Sequence, residues 1–86
     1  MRIYDLVGLE VEVREHSDPT LRGVKGVVLD ESENFLIMEK GGRVIMVYKP
    51  NGIYAIHLGN FNTIVKGSDI ASKPMNRLRK GRSLEW

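Results

Sequence analysis

The sequence predicts an all-β domain, a small antiparallel barrel or sandwich of five to six short strands. Three observations support this prediction: apolar and polar residues alternate in the strand candidates, the candidates recur about every ten residues, and glycine-bearing turns separate them. No connection is long enough for a crossover helix, so a parallel sheet is not expected. The 86 residues predict a single domain with a strand core over about residues 9–66.

The strand candidates follow one another in a regular order. LEVEVRE places Leu9, Val11 and Val13 on one face and charged residues on the other, as in a half-buried strand. The later candidates are VKGVVLDE, FLIMEK, RVIMVYK, IYAIHL and a short TIVK, and GNFN is a predicted turn. The carboxylates of the EVE and DESE stretches are expected to be solvated.

The turns have recognisable residues. Gly41-Gly42 predicts a two-residue hairpin turn, because both positions can take positive φ. Asp18-Pro19 begins one turn, and PNG at 50–52 predicts another, with the last glycine permitting the reversal.

The GVKG stretch formally matches the G-x-x-G loop of KH domains, which contacts nucleic acid. That loop joins two helices, whereas this stretch enters a strand. We therefore expect a bend at Gly23 and a tightly packed position at Gly26, with Arg22 and Lys25 projecting from the barrel rim.

A short basic helix is predicted near the C-terminus, in a segment over residues 68–82. Ser72 is its candidate N-cap, Pro74 lies just inside and Gly81 just beyond. Met75 and Leu78 are three residues apart and would pack the helix on the barrel. The N-terminal MRIYDLVG is compatible with a helical turn or with extended chain.

Charge is distributed unevenly along the chain. Residues 1–40 contain five Lys/Arg and nine Asp/Glu, whereas residues 41–86 contain eight and two. The stretch KPMNRLRKGR has five basic residues and no acidic one. This asymmetry favours an anionic partner such as nucleic acid, and a solvated charged tail is the alternative.

The absence of cysteine excludes disulfides and cysteine-ligated metal sites. It also favours an intracellular protein. No apolar run is long enough to span a bilayer, and no charged start precedes an apolar signal core. We therefore expect a cytoplasmic protein with no membrane partner.

No catalytic constellation is evident. His16 lies in a turn near Glu15 and Asp18, and His57 lies on the fifth strand. A capping histidine and a strand histidine are favoured over a hydrolytic pair, and no serine nucleophile motif is present. Two isolated histidines also make a poor metal site. We expect no catalytic residue and no metal ligand in this chain.

FLIM and VIMVY are apolar at consecutive positions, so both faces of those strands are apolar. One face fills the barrel. The other is covered either by the terminal segments or by another protein, since large exposed apolar patches mark interfaces.

The ordered motifs resemble the archaeal ribonuclease P protein component 1 family. They are LVGL, EHSDPTLRG, GVKGVVLDE, NFLIMEK, GRVIMVYKP and the later GSDIASKPMNRLRK, covering about residues 4–82. The resemblance implies an Sm-like/SH3-like barrel with terminal helical segments. It also implies a subunit of ribonuclease P, the ribonucleoprotein that removes the 5′ leader of precursor tRNA. The segment from Gly59 to Asn62 matches the family least.

The resemblance further implies that the holoenzyme RNA carries the divalent-metal chemistry, while this chain binds no cofactor. Its implied partners are the ribonuclease P RNA, a zinc-ribbon protein subunit and, indirectly, precursor tRNA. The candidate RNA-contacting residues are Arg22, Lys25, Arg43, Lys73, Arg77, Arg79, Lys80 and Arg82. Two alternatives stay open: a barrel adaptor that binds only protein, and a stand-alone nuclease using His16 or His57.

Overall fold

The computed structural model describes residues 2–3, 6–71 and 84–85. In this part of the chain six strands form one antiparallel sheet, in the spatial order β5-β4-β3-β2-β6-β7. β1 and β8 form a separate two-stranded antiparallel sheet. The elements are β1 (Arg2–Ile3), β2 (Glu10–His16), β3 (Lys25–Glu31), β4 (Phe35–Lys40), β5 (Arg43–Tyr48), β6 (Gly52–Leu58), β7 (Phe61–Lys66), α1 (Gly67–Ile70) and β8 (Leu84–Glu85), with short 3-10 helices at Pro19–Leu21 and Lys49–Asn51.

The six-stranded sheet curls into a barrel. β2 pairs with both β3 and β6, and bulges interrupt β2 between Val13 and Glu15 and β3 between Val28 and Asp30. Bulges bend a strand and increase its local twist. The His16 ring of β2 bonds the Tyr48 carbonyl of β5, 2.9 Å away, although these strands are not neighbours in the sheet. The predicted small antiparallel barrel is confirmed.

The barrel interior is an apolar core contributed by alternate residues of the strands. Leu6, which precedes β2, and Ile70 at the end of α1 are also fully buried in it. The core is therefore closed by the segments that flank the barrel strands. The strand residues in this core are Val11, Val13, Val28, Leu36, Met38, Val47, Tyr54, Ile56 and Leu58.

Most predicted strands match the structure to within one residue at either end. The sixth begins at Phe61, two residues before TIVK, so the predicted GNFN turn reduces to Gly59 and Asn60. Gly41 and Gly42 have φ of 57° and 82°, which confirms the two-residue hairpin turn.

The role predicted for Gly52 is wrong. Its φ is −129°, which any residue adopts, so the reversal after β5 does not depend on the freedom of a glycine. A Cβ at this position would instead collide with the Tyr54 hydroxyl. Close packing against a buried tyrosine is therefore the physical reason for glycine here.

The terminal predictions have mixed outcomes. The helix predicted from Ser72 to Gly81, with Met75 and Leu78 as its packing residues, lies outside the described residues. α1 ends before it, at Ile70, and no sequence signal predicted that short helix. No helix among the described residues is long and apolar enough to cross a membrane.

A buried ion pair joins the end of β3 to the 3-10 helix after β5. Lys49 Nζ lies 2.6 Å from Glu31 Oε2, and both side chains are fully inaccessible to solvent. The prediction that the DESE carboxylates are solvated is therefore wrong for Glu31. A lysine head group is almost never fully buried unless it is paired.

The pair also makes hydrogen bonds with the two segments that flank the barrel strands, one before β2 and one after β7. Lys49 Nζ donates to the carbonyl oxygens of Ser32, 2.6 Å away, and of Ile70, 3.0 Å away. Glu31 Oε1 accepts a hydrogen bond of 3.1 Å from the Leu6 amide. One ion pair thus fixes the chain where it enters the barrel and where it leaves it.

Replacing Lys49 by Met should destabilise the protein by about 3–5 kcal/mol, because Glu31 would stay buried without its cation. Urea unfolding of the full chain measures this change. The matched control is Lys66→Met at an exposed lysine of β7, expected within about 0.5 kcal/mol of the unsubstituted protein. Adding Glu31→Gln should recover part of the loss. Equal stability of the Lys49 and Lys66 variants would contradict the role assigned to the pair.

Candidate RNA interface

Three basic residues lie at the end of the sheet where β3 begins and the β4–β5 hairpin turns. Lys40 and Arg43 are paired across the hairpin, and both are exposed. Lys25 begins β3 next to them, because the neighbouring Gly26 lies against Glu39 and Lys40 of β4. We call Lys25, Lys40 and Arg43, with Arg22 of the preceding loop, the cationic rim.

Close approach of two backbones makes this arrangement possible. A Cβ at Gly26 would collide with the Glu39 carbonyl oxygen, so only glycine allows β3 to lie this close to β4 here. Gly23 has a φ of 83°, and its amide bonds the Val13 carbonyl at 2.7 Å. The predictions of a tight position and a bend are confirmed.

His16 organises the turn that leads to the rim. Its Nδ1 accepts a hydrogen bond of 2.9 Å from the Asp18 amide, and its Nε2 donates to the Tyr48 carbonyl. This donor–acceptor pattern requires a neutral ring with its proton on Nε2. The capping role predicted for His16 is confirmed.

Asp18 then caps the 3-10 helix that begins at Pro19. Its Oδ1 accepts from the Thr20 hydroxyl at 2.7 Å and from the Thr20 amide at 3.0 Å. These two hydrogen bonds lower the pKa of the Asp18 carboxyl below its ordinary value, the hydroxyl bond having the larger effect. The turn is therefore fixed by local hydrogen bonds up to Arg22.

Three arginine and lysine side chains of this region pair with glutamates of β2. Arg22 lies 2.9 Å from Glu15, Arg14 lies 3.3 Å from Glu12, and Lys25 lies 3.7 Å from Glu10. The side chains in these pairs are 30–58% exposed. Exposed pairs of this kind contribute only about 0–1 kcal/mol, so another anion can replace the carboxylate at small cost.

The structure brings together three of the predicted RNA-contacting residues, Arg22, Lys25 and Arg43. It adds Lys40, which was not among the predicted residues although the predicted Gly41-Gly42 turn already places it opposite Arg43. The other candidates lie outside the described residues: Lys73, Arg77, Arg79, Lys80 and Arg82.

Net charge is divided between the barrel and the C-terminal segment. Residues 6–71 contain seven Lys/Arg and nine Asp/Glu, a net charge of −2. Residues 72–86 contain five basic residues and one acidic residue, a net charge of +4. The barrel is therefore not a generally basic surface, and any attraction for RNA depends on where its cations lie.

The two histidines do not form a catalytic pair. His16 is the last residue of β2, whereas His57 of β6 pairs with Glu10, the first residue of β2. The six residue steps from Glu10 to His16 correspond to roughly 20 Å between the backbone positions of the two histidines. His57 Nδ1 is hydrogen bonded to Asn62 Oδ1, whereas its buried Nε2 has no partner among the described residues.

Within those residues no three His, Cys, Asp or Glu side chains approach one another closely enough to hold a metal ion.

The chain is similar to known proteins over most of its length. A family model described as ribonuclease P/MRP, subunit p29, matches residues 1–80. Ribonuclease P protein component 1 of Desulfurococcus amylolyticus is 38% identical over 78 residues, which cover 88% of this chain and 85% of that protein. The protein of the same name from Methanocaldococcus jannaschii is 33% identical over 78 residues, covering 90% and 82%.

A solved structure supports the same relationship. It is that of Mth11, a homologue of the human RNase P protein Rpp29, and it superposes with a TM-score of 0.64 at 26% sequence identity. The match covers 84% of this chain and 95% of that one. The chain therefore belongs to the ribonuclease P/MRP subunit p29 family, and it is a protein subunit of ribonuclease P, as the ordered motifs predict.

Proposed function

We propose that this ribonuclease P subunit binds the ribonuclease P RNA through its cationic rim and its basic C-terminal segment. The observation that carries this proposal is that Lys25, Lys40 and Arg43 all lie at one end of the β3–β4–β5 sheet, three residues after Arg22 in the case of Lys25. Contacts from lysine and arginine to phosphates position a protein on RNA without reading its sequence. The subunit would thus support folding of the RNA and, indirectly, recognition of precursor tRNA.

The chemistry of 5′-leader removal is assigned, in this proposal, to the RNA and its divalent metal ions. Within residues 6–71 both histidines have structural surroundings: His16 holds a turn and His57 bonds Asn62. Their separation along β2 argues against a joint catalytic role. The subunit supplies contacts and needs no cofactor of its own.

A second surface supports a protein partner. Val44, Met46 and Tyr48 of β5 are 67%, 61% and 39% exposed, and Val27 and Leu29 of β3 are 40% and 45% exposed. We call these five residues the apolar face. Val27 and Val44 both flank Glu39 of β4 in the ladder, so the two strands contribute to one side of the sheet.

We assign the apolar face, together with the terminal segments, to the zinc-ribbon protein subunit of ribonuclease P. Isolated exposed apolar residues are ordinary, but several on adjoining strands mark an interaction surface. The same face favours the alternative function, an adaptor that binds only protein. RNA affinity of the isolated chain distinguishes the two functions.

Removing charge from the rim should weaken RNA binding and its salt dependence. The variant Arg22→Gln/Lys25→Gln/Arg43→Gln should lower the slope of log affinity against log salt by about 0.7–0.9 for each phosphate that the protein no longer neutralises. Equilibrium binding to ribonuclease P RNA across a salt series measures it.

Lys66→Gln, on the opposite edge strand β7, is the control and should keep the original slope. An unchanged slope in the triple variant would exclude the rim as the RNA surface. Absence of RNA binding by the unsubstituted chain, with tight binding of the protein partner, would favour the adaptor.

A charge on the apolar face should break the protein interface and spare RNA binding. Met46→Glu should weaken binding of the zinc-ribbon subunit at least about tenfold, as expected for a residue central to an interface. Isothermal titration calorimetry with the purified partner measures this change. Ile64→Glu is the matched control, because Ile64 is a similarly exposed apolar residue of β7, at 56%. Equal reductions in the two variants would contradict the assignment.

A further inference from the structure

One strand supplies the carboxylates for three of the basic side chains near the proposed RNA surface. Glu10, Glu12 and Glu15 of β2, which we call the acidic row, pair with Lys25, Arg14 and Arg22 respectively. In contrast, Lys40 and Arg43 form no ion pair within the part of the chain that the structure describes. The cations beside β2 are therefore partly neutralised, whereas those at the hairpin tip are not.

The pairs are open to solvent, so they do little for the fold. The Arg22 and Glu15 side chains are 53% and 58% exposed, and those of Lys25 and Glu10 are 51% and 47% exposed. Exposed pairs at such distances stabilise a protein by about 0–1 kcal/mol. A structural role consequently accounts for little of the acidic row.

Each pair opposes binding of a phosphate. The carboxylate occupies the position near the guanidinium or ammonium group that a phosphate oxygen would take. A phosphate therefore reaches the cation only by displacing the carboxylate, and the free energy of the ion pair is subtracted from that of the new contact.

We propose that Glu15 and Glu10 of the acidic row compete with RNA phosphates for Arg22 and Lys25 and so lower the affinity of the barrel for RNA. Both glutamates are affinity-determining residues in this scheme, although neither of them contacts RNA favourably. The inference rests on the proposed function, since it requires these cations to meet phosphate. Its consequence is that phosphates alone bind the barrel weakly, and retention on RNA needs the hairpin tip and further contacts as well.

The experiment is a double-mutant cycle on the best-formed pair, Arg22 with Glu15, in the full chain. Binding to ribonuclease P RNA is measured at one low salt concentration for Glu15→Gln, Arg22→Gln and the double variant. Glu15→Gln should raise affinity about 2- to 5-fold, as the removal of a competing exposed ion pair implies. Thermal unfolding by circular dichroism should show all variants folded.

The control is Glu33→Gln, which makes the same change of charge in the β3–β4 turn, at an exposed glutamate. Its effect on affinity should be smaller than that of Glu15→Gln. In the Arg22→Gln background the gain from Glu15→Gln should fall to the level of the control. That non-additivity identifies competition for Arg22, as opposed to general repulsion of RNA.

The possible failures are distinguishable. If Arg22→Gln weakens binding but Glu15→Gln behaves like Glu33→Gln, the competition is excluded and the proposed function stands. If Glu15→Gln weakens binding, Glu15 orients Arg22 for RNA and the inference is overturned. If the gain persists without Arg22, repulsion is its cause and the inference is again overturned. If Arg22→Gln has no effect, the rim assignment at Arg22 fails together with the inference.

Discussion

The buried ion pair between Lys49 and Glu31 is the constraint on which the rest of the barrel depends. Both side chains are fully buried, so neither charge can turn to water if the other leaves. The pair also makes hydrogen bonds with the carbonyl oxygens of Ser32 and Ile70 and with the amide of Leu6. Tyr54 adds to the cluster, since its buried hydroxyl lies 2.9 Å from the Lys49 carbonyl and burial raises its pKa to about 12.

This cluster lies at the end of β3 and β5 that is opposite to the proposed RNA surface, and it fixes the strands there. It holds the end of β3 against the 3-10 helix between β5 and β6, while His16 ties β2 to the Tyr48 carbonyl. With the strands fixed at these points, Gly26 sets the approach of β3 to β4 and thereby the spacing of Lys25 from Lys40. The rim therefore lies on strand ends and a tight hairpin, which hold their positions better than a long loop does.

The sequence predicted what depends on local pattern. Alternation in LEVEVRE and glycines at 41 and 42 are local signals, and the structure confirms the strands and the hairpin turn that they predict. The burial of Lys49 and Glu31 could not be predicted in this way, because both look like ordinary surface residues until Leu6 and Ile70 cover them. The reason for glycine at position 52 could not be predicted either, because the Tyr54 hydroxyl that excludes a Cβ there takes up this position only in the folded barrel.

The candidate site was predictable in part. Arg22, Lys25 and Arg43 were identified from charge and turn context, whereas the glutamates that pair with the first two required the register of β2. Lys40 is an isolated cation along the sequence, and its pairing with Arg43 across the hairpin is what places it beside another basic residue. Consecutive apolar residues predicted a second apolar face on β4 and β5. The structure leaves Val44, Met46 and Tyr48 of β5 exposed, whereas Phe35 and Ile37 of β4 are half-buried, and the exposed residues of β3 were not predicted.

The most direct test of the proposed RNA surface is a map of which end of β3 and β4 lies nearest the RNA. Because the chain has no cysteine, a hydroxyl-radical-generating iron chelate can be attached to one introduced cysteine. Glu39→Cys places it beside the rim, and Glu33→Cys places it at the other end of the same two strands. Binding through the rim predicts discrete cleavage of bound ribonuclease P RNA from position 39 and little from position 33. Equal or stronger cleavage from position 33 would contradict it.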